Sequence, residues 1–126
     1  MLVVTRFDVA PDGAQAFLDS AAAALQAFAE RPGFLRGKVG RAADDPALWV
    51  LSTEWDGVGS YRRSLGAFEV KVHAAPLLAQ GRDEPSAFEL LREVEGGAAS
   101  ASTSRRARDA DVVGLGEASG PASSDL

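Results

Sequence analysis

The chain has no cysteine, and only one histidine, one tyrosine and one methionine in 126 residues. Without thiols there can be no disulfide, thiolate zinc site, iron–sulfur cluster or cysteine nucleophile. An excess of positive charge is also missing, since the net charge is −5. Neutralising phosphates takes a basic footprint, so neither nucleic acid nor an anionic membrane is an expected partner. No apolar run approaches the roughly 20 residues that span a bilayer. The opening MLVVTRFDVAPDG lacks the charged start and long apolar core of a signal peptide. The expected location is cytoplasmic. There is no glycine-rich dinucleotide fingerprint, P-loop or metal-binding cluster, so no cofactor and no metal are expected.

What is present is the composition of an ordinary globular chain, 46% hydrophobic and 25% charged. Its centre is Ala47 to Tyr61. Trp49, Leu51, Thr53 and Trp55 alternate with Leu48, Val50, Ser52 and Glu54, the period of a strand. Both tryptophans of the chain fall on one face of it. Asp56-Gly57 turns the chain, and Val58 restarts it as a short helix carrying Tyr61.

The flanking segments follow the same logic. Leu2 to Val9 alternates as a first strand, with Val3, Thr5, Phe7 and Val9 on one face and Leu2, Val4, Arg6 and Asp8 on the other. From Ala14 to Glu30 the period becomes helical through Phe17, Leu18, Ala21, Leu25 and Phe28, and Arg31-Pro32-Gly33 ends it. Phe34 to Arg41 is the second strand, with Phe34, Arg36, Lys38 and Gly40 sharing a face. Asp44-Asp45-Pro46 is expected to turn it into the tryptophan strand. A second helical stretch runs from Tyr61 past Gly66, with Phe68, Val72 and Ala75 on one stripe and Val70, His73 and Leu77 on another, shortened by Pro76. Ser86 to Arg92 reads as a last strand.

The order β-α-β-β-α-β predicts an α+β, ferredoxin-like fold: a four-stranded antiparallel sheet with its helices on one face. Residues 1–92 form this domain. Residues 93–126, dominated toward the end by Gly, Ala and Ser, are predicted to be a disordered tail. Two helices cover one face only, yet the strands carry large apolar residues on both. Leaving aromatic surface of about 150–250 Å² per side chain wet is costly for a small domain. A homodimer pairing two sheets face to face is therefore expected.

The element order, the Arg31-Pro32-Gly33-Phe34 turn into the second strand, and Glu54-Trp55 followed six residues on by Tyr61 together resemble the antibiotic biosynthesis monooxygenase family of dimeric α/β barrels. The resemblance covers roughly residues 1–92. It implies a cofactor-independent monooxygenase that oxidises a small aromatic or polyketide-like substrate with O₂. Polyketide-type members carry asparagine, tryptophan and tyrosine in sequence. Trp55 and Tyr61 match the last two, while the first place holds Leu51, which cannot hydrogen-bond a substrate oxygen. Haem-degrading members carry a histidine near the place of His73, but the other two positions they need are not matched.

In this chemistry an electron-rich phenol, once deprotonated, passes an electron to O₂ directly, and the protein supplies a pocket, a hydrogen bond and anion stabilisation. The candidate catalytic residues are Trp55 (stacking and an indole N–H), Tyr61 (holding the phenolic oxygen) and Arg6 (stabilising the phenolate). Trp49, Leu51, Phe7 and His73 are the candidate substrate-binding residues. Each has a structural alternative: the tryptophans as core or dimer interface, Tyr61 as a cap on the sheet edge, His73 as a satisfied structural histidine, and Arg6 as an ion-pair partner. At the level of function, the alternatives are a barrel that binds a small molecule or stabilises an assembly without turnover, and a haem-binding or haem-degrading oxygenase.

Overall fold

A computed structural model of the chain describes residues 1–100. Its first unit, Met1–Phe88, holds a four-stranded antiparallel sheet in the order β2-β3-β1-β4. The strands are β1 (Leu2–Asp8), β2 (Phe34–Ala42), β3 (Asp45–Trp55) and β4 (Ala87–Phe88). Helix α1 (Ala14–Ala29) links β1 to β2 after a single 3-10 turn, Pro11–Gly13. Three short helices, α2 (Val58–Ser64), α3 (Phe68–His73) and α4 (Ala75–Leu78), link β3 to β4. This is the ferredoxin-like plan, with the tryptophan strand β3 and β1 at its centre.

The buried face of the sheet is the one the alternation selects. Val3, Thr5 and Phe7 of β1 and Trp49, Leu51, Thr53 and Trp55 of β3 are all buried. They meet a stripe on α1 made of Phe17, Ala21, Ala24, Ala27 and Phe28. Leu18 turns outward and Leu25 is only half-buried, so the contact surface of α1 is mostly alanine and lets the helix lie close to the sheet. On the second helical stretch the buried line is Val70, Ala74 and Leu77. The neighbouring stripe faces out, with Phe68 73% and Val72 46% exposed. Val70, Ala74 and Leu77 stand at i, i+4 and i+7, so one buried face continues across the junction at Ala74, and Pro76 is accepted in the first turn of α4.

Two register details depart from simple alternation. A bulge between Phe34 and Arg36 shifts β2, so Phe34 joins Gly37, Val39 and Arg41 on the covered face instead of sharing a face with Arg36 and Lys38. The β2–β3 turn is Ala43-Asp44, and Asp45-Pro46 already belong to β3. There the Asp45 carboxylate accepts the Ala47 N–H at 3.1 Å. β4 is shorter than expected because only Ala87 and Phe88 pair with β1. Ahead of β4, Arg82 N–H donates to the Arg6 carbonyl (2.8 Å) and Val4 N–H to that of Ser86 (2.7 Å).

In the second unit, β5 (Glu93–Glu95) and β6 (Ala98–Ser100) pair as an antiparallel hairpin. The turn is Gly96-Gly97, with Gly97 in the left-handed region at φ 79°. The first residues of the expected tail are thus strand, since paired glycines that look like linker also serve a tight turn. The rest of that tail, 101–126, lies outside the described residues.

Candidate active site

The covered face of β3 gathers two clusters of rings. At one end Trp55, 1% exposed, meets Phe34 (ring centroids 5.3 Å apart), Phe28 (5.6 Å) and Tyr61 (5.6 Å). At the other end Trp49 meets Phe17 at 5.2 Å, and Phe17 meets Phe7 at 4.9 Å. Leu51, buried, lies on the same face between them. Five of the seven predicted site residues (Trp55, Tyr61, Trp49, Leu51 and Phe7) therefore belong to one aromatic layer beneath the helices.

Local chemistry fixes Tyr61 against Trp55. Gly33, at φ 90°, brings the backbone so near α2 that any Cβ there would collide with Ser60. The Gly33 carbonyl accepts the Asp56 N–H at 2.9 Å, and Ser60 Oγ donates to Asp56 Oδ1 at 2.5 Å. These contacts tie the Pro32-Gly33 turn to the start of α2, one turn before Tyr61. Ser64 Oγ donates to the Tyr61 carbonyl at 2.6 Å. The Tyr61 ring is half-buried, and loss of solvent raises its phenol above the ordinary tyrosine value. It is therefore neutral near pH 7, a hydrogen-bond donor and not a base.

The two indoles are satisfied differently. Trp49 Nε1–H donates to the main-chain carbonyl of Pro46 at 3.2 Å, and the Arg41 guanidinium stands 5.3 Å from the centre of its ring. Trp55 Nε1–H donates to the hydroxyl of Thr53 at 2.9 Å. Thr53 is the polar member of the site that sequence reasoning passed over. The i, i+2 alternation that put it on the face of Trp55 was the available signal.

Two predicted residues lie elsewhere. Arg6 sits opposite Val50, on the face of the sheet away from Trp55. There its guanidinium makes a two-pronged pair with Glu84, Nε to Oε2 and Nη2 to Oε1, both 2.9 Å. Arg6 is thus on the wrong side of the sheet to stabilise an anion beside Trp55. His73 is exposed on α3 with Nε2 3.2 Å from Glu69 Oε1. It borders an open groove of about 210 Å³ with Ser20, Ala23, Val72, Pro76, Leu77 and Gln80, whose lining includes neither Trp55 nor Tyr61. Among the described residues no group of three or more His, Cys, Asp or Glu is placed to hold a metal ion. No helix there is long and apolar enough to cross a membrane.

Comparison with known proteins decides the family. The profile of antibiotic biosynthesis monooxygenase matches residues 1–75. The chain belongs to the antibiotic biosynthesis monooxygenase family. Among solved structures it is similar to a mutant form of SnoaB, a cofactor-independent oxygenase from Streptomyces nogalater. That match is 29% identical, covers 71% of this chain and 94% of SnoaB, and has a TM-score of 0.57. The family fold recurs in Rv0793 from Mycobacterium tuberculosis, 18% identical over 75% of this chain and 97% of that one, TM-score 0.59. It recurs again in a putative antibiotic biosynthesis monooxygenase from Nitrosomonas europaea, 19% identical over 68% and 82%, TM-score 0.56. No curated protein matches the chain. Within this monooxygenase-family domain, residues 1–75 run from β1 to the start of α4 and so include both ring clusters.

Proposed function

We propose that this family member is a cofactor-independent monooxygenase acting on a small aromatic, polyketide-like phenol. The substrate would be held between β3 and α1–α2, beside Trp55 and Tyr61. The observation that carries this reading is the Trp55–Tyr61 pair. An indole and a neutral phenol 5.6 Å apart form the wall of an otherwise apolar layer. Membership of the family and the likeness to SnoaB, itself described as a cofactor-independent oxygenase, support it.

The chemistry asks little of the protein. For an anthrone-type substrate the net change is CH₂ + O₂ → C=O + H₂O. One oxygen atom enters the carbonyl, the other leaves as water, and the ring carbon supplies all four electrons. The ionised substrate makes the first electron transfer to O₂. Apolar walls favour the flat ring over water, and Tyr61 donates a hydrogen bond to the substrate oxygen where negative charge gathers. Oxygen uptake with a panel of anthrones and hydroquinones tests this. Wild type should consume O₂, and Trp55→Phe and Tyr61→Phe should each slow uptake about 10-fold or more. No uptake across the panel would favour a barrel that binds without turnover.

The same proposal includes a homodimer formed through the helix-free face. Leu2, Val4, Leu48 and Val50 are only half-buried there, and Phe88, beside Leu2, is 45% exposed. Ion pairs share this face, Arg6 with Glu84 and Arg36 with Glu54. Sedimentation at micromolar concentration should give a dimer, and a stable monomer would remove this part of the proposal.

A further inference from the structure

The hydrogen-bonding atoms beside Trp55 are arranged in an order that a ligand would have to respect. The indole N–H points at Thr53 Oγ1, 2.9 Å away, and both residues are buried, 1% and 3% exposed. The indole is therefore already committed and is not free to donate to a substrate. Thr53 Oγ1 accepts in this bond, so its own proton is still available. A hydroxyl offers one donor beside its lone pairs, and among the described residues no hydrogen bond is donated by Thr53. Trp49, Leu51 and Trp55, its companions on the covered face of β3, carry no hydroxyl.

The space in front of Thr53 is also unusual. Its partner across the β2–β3 ladder is Gly37. The sheet therefore has no side chain of its own at that place. It is filled from the helix side by Leu25, whose Cδ2 lies 2.6 Å from where a Gly37 Cβ would stand, and by Phe34 Cζ at 3.1 Å. Leu25 and Phe34 are both half-buried, so the plug over the glycine reaches the surface. Turning the tip of Leu25 costs one rotamer change, whereas the indole behind it is wedged among Phe28, Phe34 and Tyr61.

We propose that Thr53 is a second donor to the substrate's oxygen, beside Tyr61. Trp55 acts behind it as the fixed donor in a two-link chain, Trp55 Nε1–H to Thr53 Oγ1 and Thr53 Oγ1–H to the phenolic oxygen. A hydroxyl that is already accepting a hydrogen bond becomes a better donor, so the chain strengthens the contact an anionic ligand receives. It supplies the polar group that Leu51 does not, one strand pleat away on the same face. The inference rests on the substrate site proposed above and adds to it a second residue that reads the substrate's oxygen.

Thr53→Val keeps the shape and removes both links, while Thr53→Ser keeps both. Without ligand, the indole N–H resonance of Trp55 should stay slow to exchange in wild type and T53S, and should shift and exchange faster in T53V. Calorimetric binding of 1,8-dihydroxyanthrone without oxygen should weaken about 5- to 10-fold in T53V and stay within about 2-fold in T53S, the range of one hydrogen bond. A folded T53V that binds as wild type does, or a wild type that binds none of this probe, overturns the inference. If T53V does not fold, T53A is judged by the same two measurements. Binding that depends on Thr53 with no oxygen uptake would retire the oxygenase and keep the chain of donors. Uptake and affinity indifferent to T53V would do the reverse.

Discussion

The two faces of one sheet differ in almost everything but their backbone. Toward the helices, β1 and β3 present Val3, Phe7, Trp49, Leu51 and Trp55, each at most 6% exposed, with rings meeting edge to face. Away from the helices the same strands present Leu2, Val4, Arg6, Asp8, Val50 and Glu54, half-buried or exposed, with charges paired at their tips. A period of two sorts the residues, but the helices decide which set becomes dry. The dry set carries the folding energy and the candidate chemistry together. The other set carries paired charge among half-buried aliphatics, and it is the set that the proposed dimer would cover.

Truncating the indoles should show the difference most strongly. Removing a buried tryptophan side chain costs about 3–5 kcal/mol. Trp55→Ala should fall at the upper end, because three rings pack on Trp55, and Trp49→Ala at the lower end. Urea unfolding followed by circular dichroism measures both. Equal losses would mean that the two ring clusters are energetically alike and that only their hydrogen bonds distinguish them. The opposite face supplies the small effect. Arg6→Ala should shift the urea midpoint at neutral pH far less than either indole truncation, since its pair with Glu84 lies outside the aromatic layer.

What Arg6→Ala should alter is the response to acid. The hydrogen bond from Arg6 holds the Glu84 carboxyl below its ordinary range, and Arg82 does the same for Asp8. A carboxyl whose folded-state value is depressed stabilises the fold above its unfolded value. That contribution is lost as the pH falls from about 4 through the lower folded value, because the unfolded chain takes up the proton first. Arg6→Ala should therefore flatten the acid limb, as thermal melts between pH 5 and 2 would record. If Arg6→Ala instead abolished oxygen uptake at neutral pH, the division between a working face and a wet face would be wrong.

Much of this was legible from alternation alone. Trp49, Leu51, Thr53 and Trp55 share a face because a strand allows nothing else, and the β-α-β-β-α-β order follows from where the period changes. What escaped depended on events that alternation does not encode. The bulge at Phe34–Arg36 moved one phenylalanine across the sheet and delivered it to Trp55. Arg6 has the charge that anion stabilisation asks for, but the β1–β3 register pairs it with Val50, away from the tryptophans. Two stripes of the second helical stretch had apolar residues at helical spacing, and only packing chose Val70 and Leu77 over Phe68 and Val72. Thr53 has the character of an ordinary strand residue, and its tie to the indole N–H is a matter of side-chain geometry that no spacing encodes.

That both indoles and the one phenol lie between positions 49 and 61 governs how this protein can be watched. Its intrinsic near-ultraviolet absorption and emission come almost wholly from β3 and the turn of helix that follows. An optical melting curve is therefore a local report on the central strand. Loss of α4 or fraying of β4 would pass unrecorded unless a backbone-sensitive method ran beside it.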